Sequence, residues 1–510
     1  MVQKNWFALA GAAIVAAAIL PAPPAAAQQT DKCVNEAKNY SPDEQIAACT
    51  AAIKSGKWSG KNLAWAYSNR CLAWHDKGEY DRSIEDCEEA LRLDPNDVNA
   101  HNNRGLSYDD KGDPDRAMDD FNEAIRLDPK FAIAYMNRGR CWRDKGDNDR
   151  AIADFNKALE LKPDYALAYH NRGYSWYQKG EYDKAIADYT ESIRLDPRHA
   201  DVFNNRGLAY YEKDDDDHAI ADYTEAIRLD PKYARAYNNR GLAYKEKGDP
   251  VRAIADYNEA IRIDPNYANA YNNRGYAWFD RGEYDKAIAD YNDAIRLNPK
   301  FASAYNYRGF AYFKKGDFDQ AIADYTDAIR LDPKFAYAYR NRGNAWKGKG
   351  DYDRAIADFG EAINLSPKND SFYRNRGYAY FDMGNFTGAA EDLLRANDLA
   401  DDAYGMLWRF LARGRSGQDG APELSANAAR LKAKDWPYPV IDFYLGGRSN
   451  AEMRGAAQKD TEKCEADFYT GEWNALKGGD AKTPLQAAVD KCPKDYIEYQ
   501  GAVAELKRLK

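Results

Sequence analysis

Residues 234–267 read ARAYNNRGLAYKEKGDPVRAIADYNEAIRIDPNY, and the punctuation of this stretch dictates a helix hairpin. Apolar residues recur at helical spacing on both sides of KGDP, so the segment holds two helices. Gly248 suits the left-handed cap that ends the first helix. Pro265 lacks an N–H and biases the residue before it away from helix, which ends the second. Working outward, prolines fall at 95, 129, 163, 197, 231, 265, 299, 333 and 367, each 34 residues after the last and most within a phrase such as LDPK or IDPN. A period held that long makes the chain an array of hairpins that must stack to bury their apolar faces.

Counted from residue 1 of this copy, Tyr237 is at position 4, Gly241 at 8, Tyr244 at 11, Ala253 at 20, Tyr257 at 24, Ala260 at 27 and Pro265 at 32. Small residues at 8, 20 and 27 allow close helix approach, and aromatics at 4, 11 and 24 fill the space beside them. The pattern resembles the tetratricopeptide repeat family over ten copies, residues 64–403; the last, 370–403, has Asp401 where its proline belongs. The fold class expected is all-α, a tetratricopeptide α-solenoid. The resemblance implies a right-handed superhelix with first helices on the concave face and second helices on the convex face.

Position 6 is asparagine in nine of ten copies: Asn69, Asn103, Asn137, Asn171, Asn205, Asn239, Asn273, Asn341 and Asn375, with Tyr307 the exception. An amide offers both a donor and an acceptor, so such a row can bind an extended peptide backbone without reading its side chains; it can equally bond neighbouring helices to one another. It is similar to the asparagine ladder of O-GlcNAc transferases. Position 5 adds Asn102, Asn204, Asn238, Asn272 and Asn306. Positions 9 and 12 add Tyr174, Tyr177, Tyr211, Tyr276, Phe279, Phe310, Phe313, Tyr378 and Phe381. Family members that hold C-terminal carboxylates place basic residues and Asn at set positions. Arg340, Asn344, Asn375 and Arg409 fall at such places, but Gly405 takes the slot of a second cation. Position 7 is arginine and position 23 aspartate in every copy, which predicts an Arg/Asp ladder fixing the hairpin register.

The 510 residues carry 73 Lys plus Arg and 82 Asp plus Glu, a formal net charge of −9, which speaks against nucleic-acid binding by bulk positive charge. The N-terminus, with Lys4, an apolar run to Leu20 and Ala25 to Ala27 before Gln28, reads as a signal peptide over 1–27; Cys33 lacks a lipobox, and no later run is long enough to span a bilayer. Cys33 and Cys49 are 16 apart, as are Cys71 and Cys87, which occupy positions 8 and 24 where the helices of a hairpin meet. Two disulfides follow, the first within a divergent capping hairpin over 28–63. A third joins Cys464 to Cys492, and Cys141 is left as a buried thiol.

Residues 404–510 lose the period but keep helical patterning, and DAYGMLWRFLARGR, DWPYPVIDFYLGG and CEADFYTGEW resemble the C-terminal part of NlpI-type tetratricopeptide lipoproteins. That resemblance implies a homodimeric adaptor for peptidoglycan hydrolases or a processing protease. G-x-S-x-G, H-E-x-x-H, C-x-x-C and Walker-type patterns are absent from the sequence, the five histidines lack metal-ligand spacing, and DDDDH at 214–218 lacks the ligand order of a calcium loop. No enzyme, metal or cofactor is expected. The expectation is a periplasmic or secreted scaffold that binds cell-envelope proteins in its Asn-rich groove. The alternatives are a glycan-binding or exopolysaccharide-export accessory, and an envelope-complex stabiliser acting through its convex face.

Overall fold

The computed structural model describes residues 30–35 and 39–509; the expected signal peptide 1–27 lies outside the described residues. Among the described residues the elements are helices, with no strand. The chain divides into two compact units, Met1–Gly248 and Asp249–Lys510. Each of the ten repeats starts its first helix at position 1 and its second at position 17, as in Ala132–Asp144 and Asn148–Leu161 of repeat 3. Gly146 turns the chain between them at φ 84°, and Asp147 caps the second helix by accepting from Arg150 N. In repeat 5 the acidic run puts Asp214 at the turning position with φ 59°, and Asp215 serves as the cap.

The two helices of a hairpin meet where glycine at 8 faces the aromatic ring at 24. A Cβ on Gly139 would lie 2.7 Å from Phe155 Cε1, and one on Gly309 2.9 Å from Tyr325 Cε1, so no larger residue fits without displacing the ring. In repeat 1 the Cys71–Cys87 disulfide takes this place, with Cα atoms 5.4 Å apart.

The Arg/Asp ladder is present and does more than set register. In repeat 3, Arg138 Nε and Nη2 donate to Asp154 Oδ2 and Oδ1 at 2.8 and 2.6 Å. Repeats 1, 2, 4, 5 and 7 to 10 make the same pair. The remaining nitrogen, Nη1, reaches position 25 of the preceding repeat, from Arg138 to Asn122 at 2.8 Å and from Arg342 to Thr326 at 3.1 Å. One guanidinium therefore ties three helices together. A second, exposed rail runs from Lys at 14 to Asp at 18 of the preceding repeat, as in Lys247–Asp217 at 2.6 Å and Lys315–Asp285 at 2.5 Å; exposed pairs of this kind contribute about 0–1 kcal/mol each.

Of the expected N-terminal cap, a helix at 30–34 and the helix Pro42–Lys54 are described, joined by Cys33–Cys49 with Cα atoms 4.7 Å apart. Counting from residue 26 puts Cys33 at position 8, Asp43 at 18, Cys49 at 24 and Thr50 at 25. The rails confirm that register: Lys77 Nζ donates to Asp43 at 2.5 Å and Arg70 Nη1 to Thr50 at 2.9 Å. The cap is a repeat in the same frame, followed by a four-residue insertion that forms the 3-10 turn Gly60–Leu63.

After repeat 10 the next helix, Ala403–Arg415, starts one residue earlier than a 34-residue period requires. It carries Phe410 where a repeat has its close-packing glycine, and Gly420 on the following segment makes room for that ring, its Cβ position lying 3.0 Å from Phe410 Cδ2. Six shorter or irregularly spaced helices follow, and their core centres on Trp408. That ring lies 4.9 Å from Tyr378, 4.9 Å from Phe381 and 5.1 Å from Phe468. Cys464–Cys492 ties Asp460–Lys477 to the end of Lys482–Lys491, with Cα atoms 5.2 Å apart. Cys141 is free and buried, and burial pushes its thiol pKa up, away from the thiolate form that reacts.

Candidate functional site

First helices of successive repeats adjoin one another, so positions 5, 6, 9, 12 and 13 form a continuous face within each unit. The amides at 5 and 6 act together there. Asn137 Nδ2 donates to Asn102 Oδ1 at 2.8 Å, Asn239 to Asn204 at 2.9 Å and Asn341 to Asn306 at 3.0 Å. Asn103 donates to Ser68 O at 3.3 Å, and Asn205 to His170 Nε2 at 3.0 Å. Position 6 thus bonds position 5 of the preceding repeat, and part of each amide's capacity is committed between repeats. His170 must accept with an unprotonated nitrogen, and burial pushes its pKa down to about 4. Asn171 instead donates to Leu167 O of its own helix at 2.8 Å and accepts from Arg143. Asn273 also engages its neighbours, accepting from Asn272 Nδ2 at 3.5 Å, while Asn375 stands half-buried outside the relay. Tyr307 breaks the relay: it brings no amide to Asn272, whose Oδ1 is buried without a donor.

Of the carboxylate-clamp residues, Arg409 does not take its expected place. Because the helix after repeat 10 starts at Ala403, Arg409 stands at position 7, the ladder place, and not at 6. A one-residue slip turns a side chain by about 100° around the helix. Arg409 Nε donates to Glu423 Oε1 at 2.6 Å, and its Nη1 bonds Ala390 O. Arg340 donates to Asn341 Oδ1 at 2.8 Å, and Asn344 is half-buried at position 9 of the same repeat.

The two units dress this face differently. In the first, charged and polar groups pair with one another: His75 Nε2 with Asp110 Oδ2 at 2.9 Å, Arg140 Nη2 with Asp109 Oδ2 at 2.7 Å, and Tyr177 OH with Glu212 Oε1 at 3.3 Å. Burial opposes the charge on His75, yet its hydrogen bonds to Asp110 and Asp76 outweigh that and raise its pKa. In the second, a half-buried aromatic row crosses repeats 7 and 8. Phe279 stacks on Phe310 at 4.9 Å, Phe310 lies 6.4 Å from Phe313, and Tyr276 meets Tyr307 edge-on at 5.4 Å. Lys314 Nζ sits 5.8 Å from the Phe310 ring centroid. Tyr378 and Phe381, expected on the same face, are buried in the Trp408 core instead.

Profiles of the TPR repeat match residues 72–112, 173–214, 209–248, 275–316 and 347–384, and those of the tetratricopeptide repeat match 102–166, 234–267, 256–289 and 302–335, more than half of the chain together. The chain belongs to the tetratricopeptide repeat family. No curated protein matches it. Among solved structures it is similar to a tetratricopeptide repeat protein from Parabacteroides merdae, at 21% identity over 48% of this chain and 97% of that one with a TM-score of 0.41. MamA matches at 33% identity over 32% of this chain and 95% of that one, TM-score 0.30. YrrB, described as a TPR protein with an unusual peptide-binding site, matches at 24% identity over 36% and 95%, TM-score 0.32. As a tetratricopeptide repeat protein, the chain is a protein-interaction scaffold. Among its described residues no helix is long and apolar enough to cross a membrane.

Sequence reasoning named Tyr307 as the exception and allowed amide bonds between neighbouring helices, but missed that position 6 pairs with position 5 of the preceding repeat, and missed the Lys/Asp rail. The rail had a signal, since lysine at 14 and aspartate at 18 recur with the period.

Proposed function

We propose that the protein is an exported, non-enzymatic adaptor that binds extended segments of cell-envelope proteins on its first-helix face, chiefly across the aromatic row of repeats 7 and 8. The observation that carries this is the row itself. Phe279, Phe310 and Phe313 leave ring surface half-exposed, on a face whose charges are elsewhere neutralised by neighbours, and flat apolar surface of that kind favours association. The half-buried amides Asn205 and Asn239 each keep a second Nδ2 hydrogen for a peptide carbonyl. Three disulfides suit an oxidising compartment outside the cytoplasm. The likeness of the C-terminal segment to NlpI-type proteins points to peptidoglycan hydrolases or a processing protease as clients and to a homodimer as the working form.

The test is crosslinking capture from a periplasmic extract by the native protein and by a Phe279→Ala, Phe310→Ala, Phe313→Ala variant whose folding is verified by circular dichroism. Hydrolases or proteases captured by the first and lost by the second are the expected result; unchanged capture contradicts it. Capture of glycan alone, by ring stacking on sugar, would establish the glycan-binding alternative.

A further inference from the structure

Position 13 of the first helix is exposed in every repeat from Asp76 in repeat 1 to Lys314 in repeat 8. In repeat 9 it is Gly348, packed against Phe318 of repeat 8, and in repeat 10 it is Asp382, only 3% exposed. The last helix of the chain, Ile497–Arg508, lies here, packed on the first helix of repeat 10, Asp370–Met383. Arg508 Nη1 donates to Asp382 O at 2.7 Å, and Asp495, just ahead of the helix, pairs with Lys314 at 2.7 Å. Residues 495–508 therefore run along the first-helix face from repeat 8 to repeat 10, starting beside the aromatic row. Close approach depends on Gly501, whose Cβ position lies 2.7 Å from Trp408 Cη2.

The surface beneath this helix is unlike a settled core. Four buried carboxylates, Asp382, Glu472, Glu498 and Glu505, stand against three cations, Lys347, Arg415 and Arg508. Lys347 Nζ is 3.2 Å from Asp382, and Arg415 is 2.9 Å from Glu505 and 3.3 Å from Glu472. Tyr469 OH donates to Glu498 at 3.0 Å, and Glu465 faces Glu498 from the neighbouring helix. Glu472 Oε1, Asp382 Oδ1 and Arg508 Nε have no partner. Buried charges left incompletely paired make an interface costly to form and easy to exchange.

We propose that Ile497–Arg508 is an autoinhibitory occupant of the partner-binding face: it fills repeats 9 and 10, leaves the aromatic row open, and is displaced by a partner helix of like chemistry. That partner carries an acidic residue ahead of its first turn, carboxylates on its buried side and a glycine or alanine contact stripe. The inference rests on the second unit's first-helix face being where partners bind.

The probe is a fluorescent synthetic peptide of residues 494–509, added to the full chain. In the native protein the tethered helix excludes it. Gly501→Ala, which drives a methyl into Trp408, frees the helix, so amide exchange over 497–508 rises while exchange over the repeats stays as in the native chain. The peptide then binds about tenfold tighter or more than to the native protein, and Lys314→Glu in the same background reverses most of that gain. If Gly501→Ala fails to fold, Asp495→Asn with Arg508→Gln loosens the two ends and leaves the Trp408 core intact. Should 497–508 stay as protected as Asp460–Lys477 in the folded variant, or come free without the peptide binding, the helix is a fixed cap and the proposal is overturned. Peptide binding with envelope capture indifferent to Phe310→Ala and Phe313→Ala would sustain the occupant and sink the partner-face reading, so the two fail separately.

Discussion

Repeats 3 and 8 share a scaffold and differ on one face. Arg138–Asp154 and Arg308–Asp324 are the same two-point pair, and Gly139 and Gly309 admit Phe155 and Tyr325 in the same way. Yet positions 9 and 12 are Arg140 and Arg143 in one and Phe310 and Phe313 in the other. The arginines are bonded to Asp109 and Asn171 of neighbouring repeats, whereas the phenylalanines stack as a half-open row. The difference teaches that constant positions build the hairpin and variable ones decide what it binds: the first unit neutralises its face internally, and the second leaves part of its face unfilled.

The largest expected effect falls on what the two share. Asp154→Asn and Asp324→Asn should each destabilise by about 2 kcal/mol, because each leaves a half-buried guanidinium without its counter-charge. Chemical denaturation should show the two losses to be alike, and a marked inequality would break the claim of a common scaffold. Next come the rings. Phe310→Ala with Phe313→Ala should weaken partner binding about tenfold or more, roughly 1.4 kcal/mol, while Tyr174→Ala with Tyr177→Ala in the first unit should leave it near native, as titration against a captured partner would show.

Acidity should separate the units as well. Burial, then Glu465, pushes Glu498 up to about 8 from an ordinary 4.5, so the docked helix holds a proton that the released helix gives up. The stability this proton contributes to docking is full below pH 4.5 and falls away as pH rises toward 8; exchange of 497–508, corrected for the intrinsic rate, should rise severalfold over that range. For His170 the sign reverses. Its folded pKa near 4 lies below the ordinary 6.5, so the stability it contributes is full above 6.5 and is lost as pH falls toward 4, and exchange in Ala166–Gln178 should rise on acidification. The smallest effect is at the turn of repeat 5, where Asp214→Gly should raise thermal stability by up to about 1 kcal/mol by relieving a left-handed backbone.

Much of the fold was legible because the repeat writes it ten times. The 34-residue spacing, Gly against aromatic, Arg against Asp and the two 16-residue cysteine spacings each predict a contact that the structure contains. The amide row was half legible: the sequence shows asparagines at 5 and 6 and allows bonds between neighbouring helices, but not that Asn137, Asn239 and Asn341 each turn to position 5 of the preceding repeat. Arg409 was misplaced because losing the proline at the end of repeat 10 shortens it by one residue, a slip that spacing alone does not reveal. The C-terminal helix on the repeat face left no periodic trace, since it docks through one-off contacts between residues more than a hundred positions apart, such as Arg508 with Asp382. Gly348 breaks the polar series at position 13 among repeats 1 to 9, but it makes room for Phe318 of repeat 8, 2.8 Å from its Cβ position, and so was no sign of that helix.

Tyr211 and Phe313 hold position 12 in the two units, and both are half-buried. A photo-crosslinking phenylalanine analogue placed at each in turn, irradiated in a periplasmic extract, compares the two faces directly. A protein adduct at 313 and little or none at 211 is the result predicted here; adducts of equal yield, or adducts at 211 alone, would contradict a binding face built in the second unit.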